Sequence, residues 1–354
     1  MEITHESVFV SAIRSFCKTF CGLIGIFFAF LIAALLYSLF SSPYYPKERT
    51  TFTVLPDLNR ELTLKPYNSP VVLQINIEGV IGEPLLDTKA IDAVLLDSRR
   101  GLLAGNRVKA ILLHLNTPGG TVTDSDNIYR MLKSYKEKYN VPIYGYVDGL
   151  CASGGVYISS ACDKLFASPP SIIGSVGVII GPFFNVAEAL SKIGVSAKVL
   201  SDGTNKDMMS PFRPWAPDED ASLRAIMDFQ YNRFLDIVTT NHPRLSREKL
   251  VNEYGANIFD GVRAQEFGFI DVANANYEDA LQELLVAANI DSTHPYQVLE
   301  LTPSLGLMNL LGNSKSPLNT GKIEHEILFT KNAASKIQDQ FAYLYLPGGS
   351  QATP

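Results

Sequence analysis

The pattern of apolar and polar positions divides the chain into an N-terminal apolar run, a polar stretch and a long alternating region. From Phe20 to Phe40 the chain reads "FCGLIGIFFAFLIAALLYSLF", 21 residues without a charged side chain. As a helix this run would reach about 31 Å, the thickness of a bilayer core. A buried helix of a globular domain would show a polar face, and this run shows none. It also exceeds the ~7–15 apolar residues of a cleavable signal peptide. The expectation is a retained anchor that meets the lipid bilayer through residues 20–40. Residues 41–69 are polar, contain four prolines, and read as a stalk with one short strand.

From residue 70 a regular alternation begins. "VVLQINIEGVI" (71–81) is rich in β-branched residues and predicts a strand. "TKAIDAVLLDSRR" (88–100) predicts a helix, and "VKAILLHLN" (108–116) a buried strand. In 121–139, Ile128, Met131, Leu132, Tyr135 and Tyr139 fall on one helix face. "VPIYGYVD" (141–148) is another strand, followed by a helix that starts near Ser153. "KLFAS" (164–168) and "VSAKVLS" (195–201) read as later strands. A long helix is expected at 217–240, with Leu223, Met227, Tyr231, Phe234 and Val238 on its apolar face. "SREKLVNEY" opens on a serine placed to cap a short helix. After residue 291 periodicity fades, and the last residues, "PGGSQATP", read as disordered. The alternation of strands and helices argues an α/β layered domain.

Charge removes one class of partner. The 354 residues carry a formal net charge of −6, so there is no basic footprint for nucleic acid. Arg14 and Lys18 precede the apolar run, while Lys47 and Arg49 follow it. Charge alone therefore does not orient the anchor. The four cysteines form neither a disulfide framework nor a zinc-like cluster, and read as free thiols.

Three stretches invite chemistry. "LNTPGG" (115–120) follows a strong strand and presents backbone N–H groups at a turn, although alone it is an ordinary strand-to-helix loop. "CASGGVY" (151–157) puts Ser153 where a strand turns sharply into a helix. Ser153 could be a nucleophile, with the N–H groups of Gly154 and Gly120 receiving an oxyanion, or a plain helix cap. In "SDGTNKDMMSPF" (201–212), Lys206 sits among turn residues. A lysine is ordinarily a solvated charge, and only burial lowers its pKa enough to make it a neutral base. His5, His114, His242, His294 and His325 lie in no motif, and Cys151 has no paired histidine.

Together "NTPGG", "ASGG-x-Y", "ASPPSIIGSVGV", "DGTNKDMMSPF" and "IFDGVRAQEFGFID" (258–271) resemble the SppA signal-peptide peptidases, membrane-bound serine proteases with a Ser–Lys dyad. The likeness covers about 70–290, in the family's order, and matches the family's single-repeat form. It implies a ClpP/crotonase-like layered fold with repeated strand-strand-helix units. Ser153 falls on the nucleophile position and Lys206 on the general base. Gly120 and Gly154 fall on the oxyanion hole, and Ser175 on a hydroxyl that orients the lysine. Val156 and Cys151 depart from frequent family residues without touching the dyad.

The resemblance further implies peptide or signal-peptide substrates, no metal or cofactor, and a homo-oligomeric ring. It also implies a catalytic domain on the non-cytoplasmic side of the cell membrane. The expected layout is then a cytoplasmic segment 1–19, the anchor 20–40, a stalk 41–69, the peptidase domain 70–290, and a tail 291–354 used for oligomer contacts and partly disordered. Two rival readings are a crotonase-type acyl-CoA enzyme and a non-catalytic membrane scaffold. The nucleophile-like serine and the anchor count against the acyl-CoA enzyme.

Overall fold

The computed structural model describes residues 8–40, 50–303 and 342–344. They fall into two compact units, one within Met1–Glu48 and one within Arg49–Pro354.

The first unit is helix α1 (Val8–Phe40). Its apolar window runs over Ala12–Ala34, 23 residues of mean hydropathy 2.1, long and apolar enough to cross a membrane. The helix starts ahead of the expected 20–40 run and includes Arg14 and Lys18, because no proline interrupts the preceding turns.

The second unit is built on one eight-stranded sheet in the order β1-β9-β2-β3-β5-β7-β8, with β6 pairing β5. Its strands are β1 (Thr50–Leu55), β2 (Val71–Glu78), β3 (Val108–Thr117), β5 (Ile143–Ala152), β6 (Lys164–Ala167), β7 (Ile172–Gly174), β8 (Ile258–Asp260) and β9 (Gln297–Pro303). Pairing is parallel from β9 through β2, β3 and β5 to β7. It is antiparallel only at the two margins. A short strand β4 (Gly119–Thr121) stands apart and pairs antiparallel with β10 (Ala342–Leu344).

Parallel strands need crossovers, and helices supply them on both faces. The strand period of two divides the apolar residues between two cores. Leu73, Ile75 and Ile77 of β2, with Ile111, Leu113 and Leu115 of β3, pack against α2 (Thr88–Asp97), α3 (Val122–Tyr139) and α4 (Gly154–Ser159). Val72, Ala110, Leu112, Tyr146 and Phe166 point the other way, onto α9 (Tyr277–Ala287). Each fully buried aliphatic side chain contributes roughly 1.5–3 kcal/mol. The layered α/β class expected from the alternation is therefore the one observed.

Helix ends follow local chemistry. Thr121 caps α3 by accepting the Asp124 N–H, and Asp87 caps α2 by accepting that of Ala90. Ser246 caps α7 (Arg247–Lys249), as its sequence suggested. The remaining helices are α5 (Ala187–Lys192), α6 (Ala221–Asn241) and α8 (Gly261–Phe267).

Three expectations change. Residues 195–201 form no strand: Val195, Val199 and Leu200 stay exposed and have no neighbouring strand to pair with. The sheet also outgrows the expected 70–290 bounds at both ends. Thr50–Leu55, expected within the stalk, is an edge strand, and Gln297–Pro303, expected in the tail, lies between β1 and β2. Finally, α6 buries only Phe234, Leu235 and Val238, at its C-terminal half, and leaves Ile226 and Phe229 exposed. The closing residues "PGGSQATP" lie outside the described residues.

Candidate active site

The site forms where β5 ends. Strand β5 runs through Ala152, and α4 starts at Gly154, so one residue makes the whole turn. That residue is Ser153, with φ +54° and ψ −112°. A non-glycine residue there carries strain of order 1–3 kcal/mol and persists only where its surroundings hold it. The Ser153 N–H donates to the Gly174 carbonyl of β7 at 2.9 Å, and its carbonyl accepts the Tyr157 N–H at 3.1 Å. The Ser153 hydroxyl is buried, with the residue 1% exposed, and its Oγ has no hydrogen-bond partner among the described residues. It does not cap α4. The cap reading of Ser153 is thereby set aside.

The glycines around it are required by space. A Cβ on Gly154 would sit 2.5 Å from Ser125 Oγ and 3.2 Å from the Gly120 nitrogen. A Cβ on Gly120 would lie 1.9 Å from the Ile81 carbonyl oxygen. The backbones of Gly120 and Gly154 are therefore in close approach beside Ser153. The Gly154 N–H opens α4, where intrahelical geometry leaves it without a partner.

Ser175 is buried just past Gly174, with φ +57°. Its N–H donates to the Asn257 carbonyl at 2.7 Å, which ties the turn after β7 to the approach to β8.

Lys206 is placed differently. It stands exposed in a loop, and since Ser153 Oγ has no partner, the two are not hydrogen-bonded within one chain. Its loop is nonetheless well built. Arg213 Nε donates to Asp207 Oδ2 at 2.8 Å and Nη1 to Glu219 Oε2 at 2.7 Å. Glu219 also accepts the N–H groups of Met209 (2.7 Å) and Ala216 (2.9 Å). Hydrogen bonding from Arg213 holds the Asp207 carboxyl below its ordinary range, and the Ala216 N–H followed by Arg213 does the same for Glu219. The reading of the sequence did not find this network. Its only signal was the clustering of charges in "SPFRPWAPDED".

A second network was also missed. Asp126 of α3 accepts Tyr157 Oη from α4 at 2.7 Å and Arg233 from α6 at 2.6 Å. Burial pushes its carboxyl up, but these donors leave it below the ordinary value. One carboxylate thus pins three helices behind the Ser153 turn.

The alternative groups are poorly suited to the chemistry. Burial pushes the Cys151 thiol up to about 12, which keeps it from being a thiolate at neutral pH. His242 is buried and depressed to about 4, and His114 is engaged by Glu78 at 2.8 Å. No group of three or more His, Cys, Asp or Glu side chains suited to a metal occurs among the described residues.

Residues 135–291 match the model of Peptidase family S49. A Synechocystis protein named as a protease is 37% identical over 182 residues, 51% of this chain and 64% of the relative. An Enterococcus faecium protein named as a signal peptide peptidase SppA is 34% identical over 177 residues, half of each chain. A Methanocaldococcus jannaschii protein named as a protease is 31% identical over 207 residues, 58% of this chain and 65% of the relative. The matched part is thus less than two thirds of each relative's length.

Among solved structures, a ClpP1 mutant from Listeria monocytogenes superposes with a TM-score of 0.39 at 19% identity, covering 61% of this chain and 96% of that one. A mutant of a membrane-bound stomatin-specific protease gives 0.39 at 18% identity, covering 67% and 99%. The α/β layering stands on the strand order and the two cores described above. Residues 135–291 are thus similar to Peptidase family S49, and the relatives this chain resembles include proteins named as proteases and as a signal peptide peptidase SppA.

Proposed function

We propose that the chain is a membrane-anchored serine endopeptidase. In this reading Ser153 is the nucleophile, Lys206 the general base, and the N–H groups of Gly120 and Gly154 the oxyanion hole. The observation that carries the reading is the Ser153 hydroxyl: buried, without a hydrogen-bond partner among the described residues, and held on a strained turn beside two glycine backbones. Strain maintained by surrounding structure points to function. An ordinary buried serine would satisfy its hydroxyl, as Ser125 does on the Thr121 carbonyl at 2.8 Å.

Neutral Lys206 takes the Ser153 proton as Oγ attacks a peptide carbonyl. The two N–H groups stabilise the developing oxyanion. Lys206 returns the proton to the leaving amine, and water hydrolyses the acyl-enzyme. Ser175 helps to orient the lysine amine. Cleaved signal peptides or other membrane-associated peptides are the proposed substrates, in keeping with the names of the relatives. Helix α1 is the anchor, and the peptidase unit lies on the non-cytoplasmic side.

The base comes from a neighbouring copy. Supporting this, Lys206 does not bond Ser153 among the described residues, and large apolar side chains stand exposed in the segments before and after it in the chain. Ile179, Phe183, Phe184, Leu200, Phe212 and Phe229 are all exposed. Apolar side chains left this bare are what a closed ring of heterologous contacts would cover.

The test uses the full chain in detergent. Ser153→Ala and Lys206→Ala should each abolish peptide hydrolysis, and only the first should abolish labelling by a serine-directed fluorophosphonate outright. Mixed rings of the two variants should recover activity at roughly a quarter of the junctions. Verified mixed rings that stay inactive would refute the shared dyad. Wild-type chains that neither take the probe nor cut peptides would refute the peptidase reading.

A further inference from the structure

Helix α6 leaves the body of the fold as a strut. Residues 221–233 are exposed or half-buried along their whole length, and burial begins at Phe234. From the Asp220 cap to Arg233 the helix spans about 20 Å. Its outer end carries the lysine loop. Glu219, just before the cap, accepts the Met209 and Ala216 N–H groups and Arg213, and Arg213 in turn holds Asp207, the neighbour of Lys206. The Ser222 hydroxyl adds a contact to Met208 Sδ at 3.5 Å. Where Lys206 stands is therefore decided by where α6 points.

The strut is fastened where it enters the body. Arg233 donates from Nε (3.0 Å) and Nη2 (2.6 Å) to a single oxygen, Asp126 Oδ1. The next residue, Phe234, is fully buried, with its ring centroid 5.1 Å from that of Tyr157. The same Oδ1 accepts Tyr157 Oη at 2.7 Å, and Oδ2 accepts Arg130 Nε at 2.8 Å from one turn along α3. The Asp126 side chain is only 17% exposed, so its charged hydrogen bonds are stronger than those of a surface pair. A second brace, from Arg247 to Asn232 and Asp236, lies in the open, where an ion pair contributes little.

We propose that Asp126 is a positioning residue: through Arg233 it sets the angle of α6, and so the place at which a chain presents Lys206 to the neighbouring copy. The inference rests on the shared-dyad reading and deepens it. Phe234, Leu235 and Val238 hold the helix in the fold, but apolar contacts are non-directional. The paired donors of Arg233 give it a direction. Leverage enlarges any looseness at that point. A tilt of about 5° at Arg233 moves the outer end of the strut by about 2 Å, and a misplacement of about 1 Å can cost roughly 10²-fold in rate. Tyr157 needs only an acceptor, which an asparagine at position 126 also offers, whereas the Arg233 guanidinium needs the negative charge. Asp126→Asn thus loosens the strut and spares the helix that follows Ser153.

The experiment uses mixed rings of full chains in detergent. One chain carries Ser153→Ala and supplies only lysine; the other carries Lys206→Ala and supplies only serine. Asp126→Asn is placed in either chain, and kcat and KM for a peptide are compared with those of the parent rings. In the lysine-supplying chain kcat should fall about ten-fold or more, with KM changed by less than about two-fold. In the serine-supplying chain the loss should stay below about two-fold. Arg233→Gln in the lysine-supplying chain should reproduce the loss, and Arg233→Lys, which keeps a charge for Asp126, should recover part of it. Arg247→Gln is the control and should change kcat by less than about two-fold. The Arg233 side chain is 40% exposed, so its variants carry the test if Asp126→Asn fails to assemble. Full activity with the lysine-supplying chain altered overturns the inference, and so does an equal loss in both placements, which would assign Asp126 to the fold or to the Ser153 helix. In either case active parent rings leave the shared dyad standing. Inactive parent rings overturn the shared dyad and this inference together.

Discussion

Replacing Gly120 by alanine separates the site's architecture from its chemistry. The new Cβ would lie 1.9 Å from the Ile81 carbonyl oxygen and 2.6 Å from the Ile81 carbonyl carbon and nitrogen. Those are backbone atoms, so no side-chain rotation relieves the contact. Ile81 and residues 119–121 must part, and the bonds at risk are Ile81 N–H to Gly119 and Thr121 N–H to Ile81. At ~0.5–1.5 kcal/mol each, their loss destabilises the fold by about 1–3 kcal/mol. A domain stability of about 5–15 kcal/mol absorbs that, so the variant stays folded. Activity should suffer more. Displacing one oxyanion donor costs roughly 10²–10³-fold in kcat.

Gly154→Ala is the comparator. There the closest atom, at 2.5 Å, is the Ser125 hydroxyl, a side-chain end that can move. The stability cost should be smaller and should shrink further in the Gly154→Ala, Ser125→Ala double variant. Urea unfolding and hydrolysis of a fluorogenic peptide are the two measurements. If folded Gly120→Ala keeps kcat within about five-fold of wild type, Gly120 is not an oxyanion donor.

Two further outcomes follow from charge. Arg213→Gln should loosen the Lys206 loop by breaking the contacts to Asp207 and Glu219. Hydrolysis should fall about ten-fold or more through loss of positioning, with faster proteolytic nicking within 201–215 and little change in the global unfolding midpoint. Unchanged activity would mean that the loop needs no internal brace. For His242, burial lowers the folded pKa to about 4 from an ordinary 6.5. The unfolded chain then binds the extra proton below about pH 6.5, so stability is lost as pH falls from there toward 4, by at most about 3 kcal/mol. His242→Phe should flatten that slope in urea unfolding at pH 7 and pH 4.5, and an unaltered slope would assign the acid sensitivity elsewhere.

The strands most legible in the sequence were those whose residues bury on both faces. Residues 71–78, 108–117 and 143–152 are rich in Val, Ile and Leu because helices cover both sides of the sheet, and even Gln74 is buried, the polar residues that remain lying mostly toward the strand ends. Residues 195–201 carry a similar composition without a partner strand, and composition alone does not report pairing. Gln297–Pro303 failed in the opposite sense. Its run "QVLELTP" is short and polar-punctuated, and only long-range pairing with β1 and β2 makes it a strand.

The candidate site divides along the same line. Ser153 was legible because a one-residue strand-to-helix turn needs small neighbours, and "ASGG" supplies them locally. Gly120 was legible as part of a turn, but its reason is distant: Ile81, 39 positions earlier in the chain, fills the space a side chain would need. Lys206 was legible only through its motif. Nothing local distinguishes it from other surface lysines, and within one chain it remains on the surface. What marks its loop in space is the Arg213–Asp207–Glu219 network, which fixes the segment's shape before any partner arrives. An exposed loop held by ion pairs, with bare Leu200 and Phe212 at its two ends in the chain, is expensive to leave in water. A loop built only to connect elements would not need either feature. The same arrangement makes sense if the loop is preformed for docking, so that ring closure orders little chain while covering the apolar surface and delivering the amine. The buried, unpaired hydroxyl of Ser153 and the exposed, braced Lys206 are then complementary halves, each costly alone, whose costs fall when two copies meet.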